Sequence, residues 1–186
     1  MVNSKMFVDK KIIAAAVVYF LISYFLLFTF GIRTDGEAEK IIENANRLIN
    51  GREYFNGIFG YFYLVYTVLV ALCIKLSVNL VFVAILQIAF SFLAAVCLYK
   101  LLLDTLHNNR IAFLFFIAYL LCYPVQKWNF FLYTESMHTS FLVIGIYLFN
   151  KWLNDKKVIR LAALGLLLLL ILFSRPVGII FLLSLF

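Results

Sequence analysis

Long apolar runs that do not alternate with polar residues are the feature that most constrains this sequence. They cover residues 11–31, 59–76, 80–103, 111–126, 136–150, 158–174 and 176–186. Of the 186 residues, 66% are hydrophobic and only 13% charged, whereas soluble domains are about half apolar and about one quarter charged. One small core cannot bury so many hydrophobic residues, so the solvent around them must be lipid. Apolar runs that do not alternate with polar residues exclude a transmembrane β-barrel. The sequence therefore predicts an all-α fold, a polytopic transmembrane helical bundle that forms one domain over residues 1–186.

The basic residues indicate orientation in a membrane and not nucleic-acid binding. The net charge is +7, but the bases stand at the ends of apolar runs, where the positive-inside rule places them. Lys5, Lys10 and Lys11 precede the first span, so we expect a cytoplasmic N-terminus in an inner or plasma membrane. The chain ends at Phe186 within an apolar run, from which we expect a sequence truncated at its C-terminus.

Residues 32–58 form the one extended polar segment. Its acids are Asp35, Glu37, Glu39, Glu43 and Glu53. Apolar residues recur at helical spacing between them, which predicts an amphipathic helix on the membrane surface that stops near Gly51. A carboxylate at this boundary can act as a general base or bind a divalent cation. The alternative is an ordinary solvated helix face.

The positive-inside rule places both ends of residues 59–76 on the same side of the membrane. Loops 104–110 and 151–160 are basic and should be cytoplasmic, whereas segment 32–58 follows one span and should be outside. Both ends of 59–76 then lie on the same side. We expect this tyrosine-rich segment to be re-entrant or interfacial; the alternative is an ordinary span, with the rule broken further along.

The motif YTESMH, residues 133–138, contains two ionisable residues one helical turn apart. Glu135 and His138 stand at the predicted outer mouth of a span, where ionisable groups are costly and suggest function. The alternative is that Thr134 or Ser136 caps a helix whose first turn favours Glu135. Lys127 marks the outer interface before this motif.

The motif SRPVG, residues 174–178, places Arg175 between two apolar runs on the predicted outer side. An arginine there can hold a lipid phosphate through two parallel hydrogen bonds. The alternative is a loop arginine whose side chain extends to the interface.

The order of these features resembles the N-terminal half of the GT-C superfamily of polytopic glycosyltransferases. One span is followed by an acidic outer loop (D-G-x-x-x…A-N-R-L-I-N-G-R-E-Y-F), an aromatic run, a basic loop, an outer T-E-S and finally R-P-x-G. The protein O-mannosyltransferase and aminoarabinose-transferase types, which use polyprenyl-phosphate-linked sugars, are the most similar. The resemblance covers nearly all of this chain but only the front part of such enzymes.

The resemblance implies roles for the residues singled out above. Asp35, or Glu37 at a comparable spacing, would be the catalytic base, and Glu135 would be the second acid, which orients the acceptor or a cation. Any divalent cation would involve Asp35 and Glu135. Arg175 would hold the donor phosphate, and His138 and Lys127 would also contact substrate. The expected partners are membrane lipid and a polyprenyl-phosphate sugar, with no nucleic acid.

Two other functions are compatible with the same residues. A transporter or lipid flippase would have ionisable groups spread through the depth of the membrane. A non-catalytic, truncated membrane protein would have no site.

Overall fold

A computed structural model describes residues 10–52 and 58–183, and within them every regular element is helical. The α-helices are α1 Lys10–Phe30, α2 Glu37–Ile49, α3 Leu64–Lys75, α4 Val81–Leu106, α5 Asn109–Leu121, α6 Tyr123–Gln126, α7 Glu135–Asp155, α8 Val158–Leu172 and α9 Gly178–Leu183. Two 3-10 helices cover Ile58–Tyr63 and Lys127–Phe130. The predicted all-α class is therefore confirmed for the described chain.

Two described helices, α1 and α4, are long and apolar enough to cross a membrane. They have 21 and 26 residues, which corresponds to about 32 and 39 Å at 1.5 Å per residue. A third span is possible if α5 and the segment Tyr123–Phe130, bent by 51° relative to it, count as one. Helix α7 has 21 residues, but its polar first turn lowers its hydropathy. The crossing of the remaining apolar runs stays a prediction.

Helix α4 is the centre of the bundle and packs against α5 and α7, while α8 packs on the far side of α7. Ala84, Ala94 and Ala95 of α4 are completely buried. Small side chains let helix backbones approach closely, which is the usual basis of helix packing in membranes. Helix α1, by contrast, leaves most of its apolar side chains exposed, as expected for a helix in contact with lipid.

Contacts between helix termini define two ends of this bundle. At one, which we call the site end, the N–H of Val65 at the start of α3 donates to the carbonyl of Phe173 after α8, over 3.3 Å. The starts of α4 and α7 lie at the same end. At the opposite end, Lys151 of α7 forms an ion pair of 2.7 Å with Asp104 of α4.

Both ends of α3 lie at the site end, because its start contacts the end of α8 and only residues 76–80 separate it from the start of α4. It has 12 residues, about 18 Å, which is too short for a hydrocarbon core of about 30 Å. This is the geometry expected for a segment that does not cross. Helix α2 packs on α3 through Ala38, Ile41 and Ala45, which are buried. Its amphipathic character and its end before Gly51, where φ is +64°, are as predicted.

Two predicted spans have different boundaries in the structure. The run 111–126 is not one straight helix, because α5 ends at Leu121 and Cys122 is extended. Pro124 in the next turn disfavours continuation of the helix. The run 158–174 gives α8, whose 15 residues extend about 22 Å.

Candidate functional site

Gln87 of α4, a buried side chain, holds the loop that precedes α7 in place. Its Nε2 donates to the carbonyls of Trp128, Phe131 and Tyr133 over 3.1 to 3.2 Å. The hydroxyl of Tyr66, on α3, donates to its Oε1 over 3.3 Å. Because Gln87 has no exposed surface, these bonds form away from solvent and fix the backbone that leads to Glu135.

The acidic segment after α1 pairs directly with this loop. The N–H of Arg33 donates to the carbonyl of Phe130 over 2.8 Å, and the N–H of Leu132 donates to the carbonyl of Arg33 over 2.9 Å. Arg33 and Phe131 thereby form an isolated parallel bridge. Two segments about a hundred residues apart in the chain therefore lie at one end of the bundle.

Tyr133 strengthens this junction with its hydroxyl group. It donates to the carbonyl of Asp35 over 3.0 Å, and the N–H of Glu37 donates to it over 3.4 Å. Gly36, between the two acids, has φ +68°, and a Cβ added there would lie 2.8 Å from the tyrosine oxygen. Glycine is favoured here, because the positive φ strains other residues and a Cβ would displace the tyrosine hydroxyl from its hydrogen bonds. The side chains of Asp35 and Glu37 remain exposed.

Glu135 and Arg175 form an ion pair across the site end. Arg175 Nη1 lies 2.9 Å from Glu135 Oε1, and the side chains are 27% and 18% exposed. The pair joins the first turn of α7 to the segment between α8 and α9. Thr134 stands at the N-cap position, but its side chain makes no capping hydrogen bond. Ser136 instead donates to Asn129 Oδ1, so the simple capping interpretation does not describe this turn.

His138 lies one turn further along α7 and is buried. Its Nδ1 is 2.7 Å from the hydroxyl oxygen of Ser174, the residue before Arg175. Two consecutive residues after α8 thus contact two residues one turn apart on α7. The structure brings Glu135, His138 and Arg175 into one group.

Lys127 lies in a different environment. Its Nζ is 4.5 Å from the centre of the Trp128 ring, which stacks on Tyr133 with centroids 5.8 Å apart. The guanidinium of Arg33 lies 5.8 Å from the Phe131 ring. No ion pair or hydrogen bond in the described chain joins Lys127 to Glu135 or Arg175. It belongs to an aromatic cluster beside the acidic segment.

A second buried polar network supports the loop from the side of α1. The hydroxyl of Tyr19 donates to Gln126 Oε1 over 2.8 Å, and Asn129 Nδ2 donates to Tyr19 over 3.1 Å. Ser91 of α4 also donates to Gln126, over 3.1 Å. These bonds link α1, α4 and the loop at one point, and such networks are favourable where water is absent.

A divalent cation needs several oxygen, nitrogen or sulfur ligands close together. Within residues 10–52 and 58–183, no group of three His, Cys, Asp or Glu side chains is arranged to hold one. Glu135, one of the two predicted ligands, already pairs with Arg175. These residues do not fit a protein-held cation.

Several residues at the site were not predicted from the sequence. They are Arg33, Tyr66, Gln87, Tyr133 and Ser174. A polar residue within the apolar run of α4 is the one signal that would have indicated Gln87. Ser174 and Tyr133 are adjacent to or within the motifs that were singled out, but their partners are distant in sequence.

No known family model matches the chain, and neither a curated protein nor a solved structure shows significant similarity to it.

Proposed function

We propose that the protein is an integral membrane glycosyltransferase, or a portion of one, that transfers a sugar from a polyprenyl-phosphate-linked donor to an acceptor hydroxyl. The observation that carries this proposal is the junction between the acidic segment and the loop before α7, made by Arg33 and Tyr133. It brings exposed carboxylates to the same end of the bundle as the Glu135–Arg175 pair. A transferase needs this combination of a base and a substrate-binding group.

The reaction we propose assigns one role to each group. Asp35, or Glu37 in its place, takes the proton of the acceptor hydroxyl as that oxygen attacks the anomeric carbon. The bond from that carbon to the phosphate oxygen breaks, and polyprenyl phosphate leaves with the electron pair. Arg175 and Lys127 neutralise the leaving phosphate, which needs charge compensation more than protonation. Attack from the face opposite the leaving group inverts the anomeric centre.

A transporter or flippase is the second candidate, and the charge distribution supports the enzyme over it. Transport would favour ionisable groups spread through the depth of the membrane. The described ion pairs lie instead near the helix ends, Glu135–Arg175 at the site end and Asp104–Lys151 at the opposite end. Of these, the Glu135–Arg175 pair shares the site end with the acidic segment, which suits chemistry at that surface.

The test of catalysis is transfer of radiolabelled sugar from a polyprenyl-phosphate donor in membranes that carry the complete protein. Asp35→Asn should lower the rate at least about a hundredfold, the usual contribution of a general base. Asp104→Asn, an equally conservative change at the opposite end, is the matched control and should retain activity. If Glu37 is the base, Glu37→Gln should show the loss instead. Undiminished transfer by both variants would refute a carboxylate base in this segment.

The orientation we propose places the N-terminus in the cytoplasm of an inner or plasma membrane and the site end outside. In a variant without the native cysteines, Thr34→Cys should react with a membrane-impermeant maleimide added from outside. Asn108→Cys, in the loop between α4 and α5, should react only after the membrane is opened. Labelling of both positions from the same side would contradict this topology.

A further inference from the structure

Three buried polar atoms of the Glu135–Arg175 group are left without a partner among the described residues. They are Glu135 Oε2, His138 Nε2 and Arg175 Nε. Buried polar atoms are nearly always hydrogen-bonded, and each one left unsatisfied costs about 1–3 kcal/mol. All three belong to side chains that are already joined by the Arg175–Glu135 ion pair or the His138–Ser174 hydrogen bond. This concentration in one small group indicates a place for a ligand.

The bond from His138 to Ser174 fixes which imidazole nitrogen carries the proton. The Ser174 hydroxyl donates its single proton to the carbonyl of Ile171, over 2.8 Å. With that proton assigned to Ile171, the Ser174 oxygen accepts from His138, and we assign the hydrogen of the 2.7 Å contact to Nδ1. In a neutral imidazole the other nitrogen, Nε2, is then a lone-pair acceptor. The unpartnered Nε2 is thus a hydrogen-bond acceptor, as is the carboxylate oxygen Glu135 Oε2.

The charges and donor types of the group select the chemistry of its ligand. A neutral His138 adds no charge to the Glu135–Arg175 pair, so the open acceptors of the group select hydrogen-bond donors, while Arg175 keeps its role toward the donor phosphate. The group offers two acceptors, Glu135 Oε2 and His138 Nε2. These two residues are three apart on α7, which places their Cβ atoms about 5–6 Å from each other. It also offers one donor, the Nε–H of Arg175. Two adjacent hydroxyl groups match this pattern, because each donates one proton and either oxygen can accept.

We propose that this group binds a vicinal diol of the transferred sugar, with one hydroxyl donating to His138 Nε2 and the other to Glu135 Oε2. Arg175 Nε–H donates to an oxygen of the same ligand. This assignment rests on the proposed transferase function and specifies which part of the donor the group recognises. It makes His138 and Glu135 determinants of sugar specificity, whereas Asp35 acts on the acceptor.

The test reads His138 directly by ¹⁵N NMR of the histidine-labelled protein in a phosphocholine detergent. The chain has only two histidines, and His138→Gln removes one signal, which assigns it. The free protein should show a protonated Nδ1 and an unprotonated Nε2. Methyl mannopyranoside should shift the Nε2 resonance upfield in a saturable manner, whereas its fully O-methylated derivative, which has no hydroxyl donor, should not. A protonated Nε2, or equal shifts with both compounds, would overturn the proposal.

A pair of serine variants separates binding from general stability. Ser174→Ala removes the bond that fixes the imidazole and should weaken the NMR-detected binding about fivefold, as expected for the loss of one hydrogen bond. Ser140→Ala, which removes a buried hydroxyl that donates to the Ser136 carbonyl over 2.8 Å, should leave binding unchanged. Equal loss in both variants would refute a specific role for Ser174. The NMR experiment measures binding and not transfer. Failure of the diol proposal is therefore distinguishable from failure of the proposed transferase function, which the Asp35 assay tests.

Discussion

Replacing Gln87 by leucine should separate the loop before α7 from the helix that holds it. The side chain is fully buried and binds the carbonyls of Trp128, Phe131 and Tyr133, while Tyr66 binds it in turn. Leucine has a similar size but neither donates nor accepts. The two amide protons and the tyrosine proton amount to three hydrogen bonds, each contributing about 1 kcal/mol. We therefore expect a loss of about 3 kcal/mol in the free energy of unfolding, about a hundredfold in the equilibrium constant.

The measurement is equilibrium unfolding in mixed micelles of a mild detergent and sodium dodecyl sulfate, followed by circular dichroism. Ser91→Ala is the matched control, because Ser91 lies one turn further along α4, is also buried and donates its one hydroxyl proton to Gln126. It should lose about 1 kcal/mol. A loss for Gln87→Leu no larger than that for Ser91→Ala would refute the claim that Gln87 fixes the loop.

Two further predictions concern the site end and use the same unfolding assay. Gly36→Ala should be more destabilising than Gly51→Ala. Both positions have positive φ, which costs an alanine about 1–2 kcal/mol, but only at Gly36 would the new Cβ also meet Tyr133. Equal losses of stability in the two variants would contradict this contact. Glu135→Gln and Arg175→Gln should each cost about 1–3 kcal/mol, because each leaves a partly buried charge without its partner. The double variant should recover part of this loss, and strictly additive losses would contradict a coupled pair.

The amino-acid sequence by itself determined the class of the fold and several of its boundaries. Apolar runs of bilayer length require helices, since only helices satisfy their backbone groups there without alternating side chains. Helix α2 and its end before Gly51 followed from local spacing and glycine chemistry, which act over a few residues. The basic loops 104–110 and 151–160, with the polar segment 32–58, indicate that residues 59–76 do not cross the membrane, which stays a prediction.

The tertiary structure alone decided which of the polar side chains meet. Nothing in the spacing of residues shows that Tyr133 reaches Asp35, because that contact depends on how α1 and α7 are placed around α4. The partner of Glu135 is Arg175, forty residues away, and the orientation of His138 is set by Ser174. The physical reason is that apolar periodicity specifies which side chains are buried but not which helix faces them, whereas each buried polar group accepts only a neighbour that completes its hydrogen bonds.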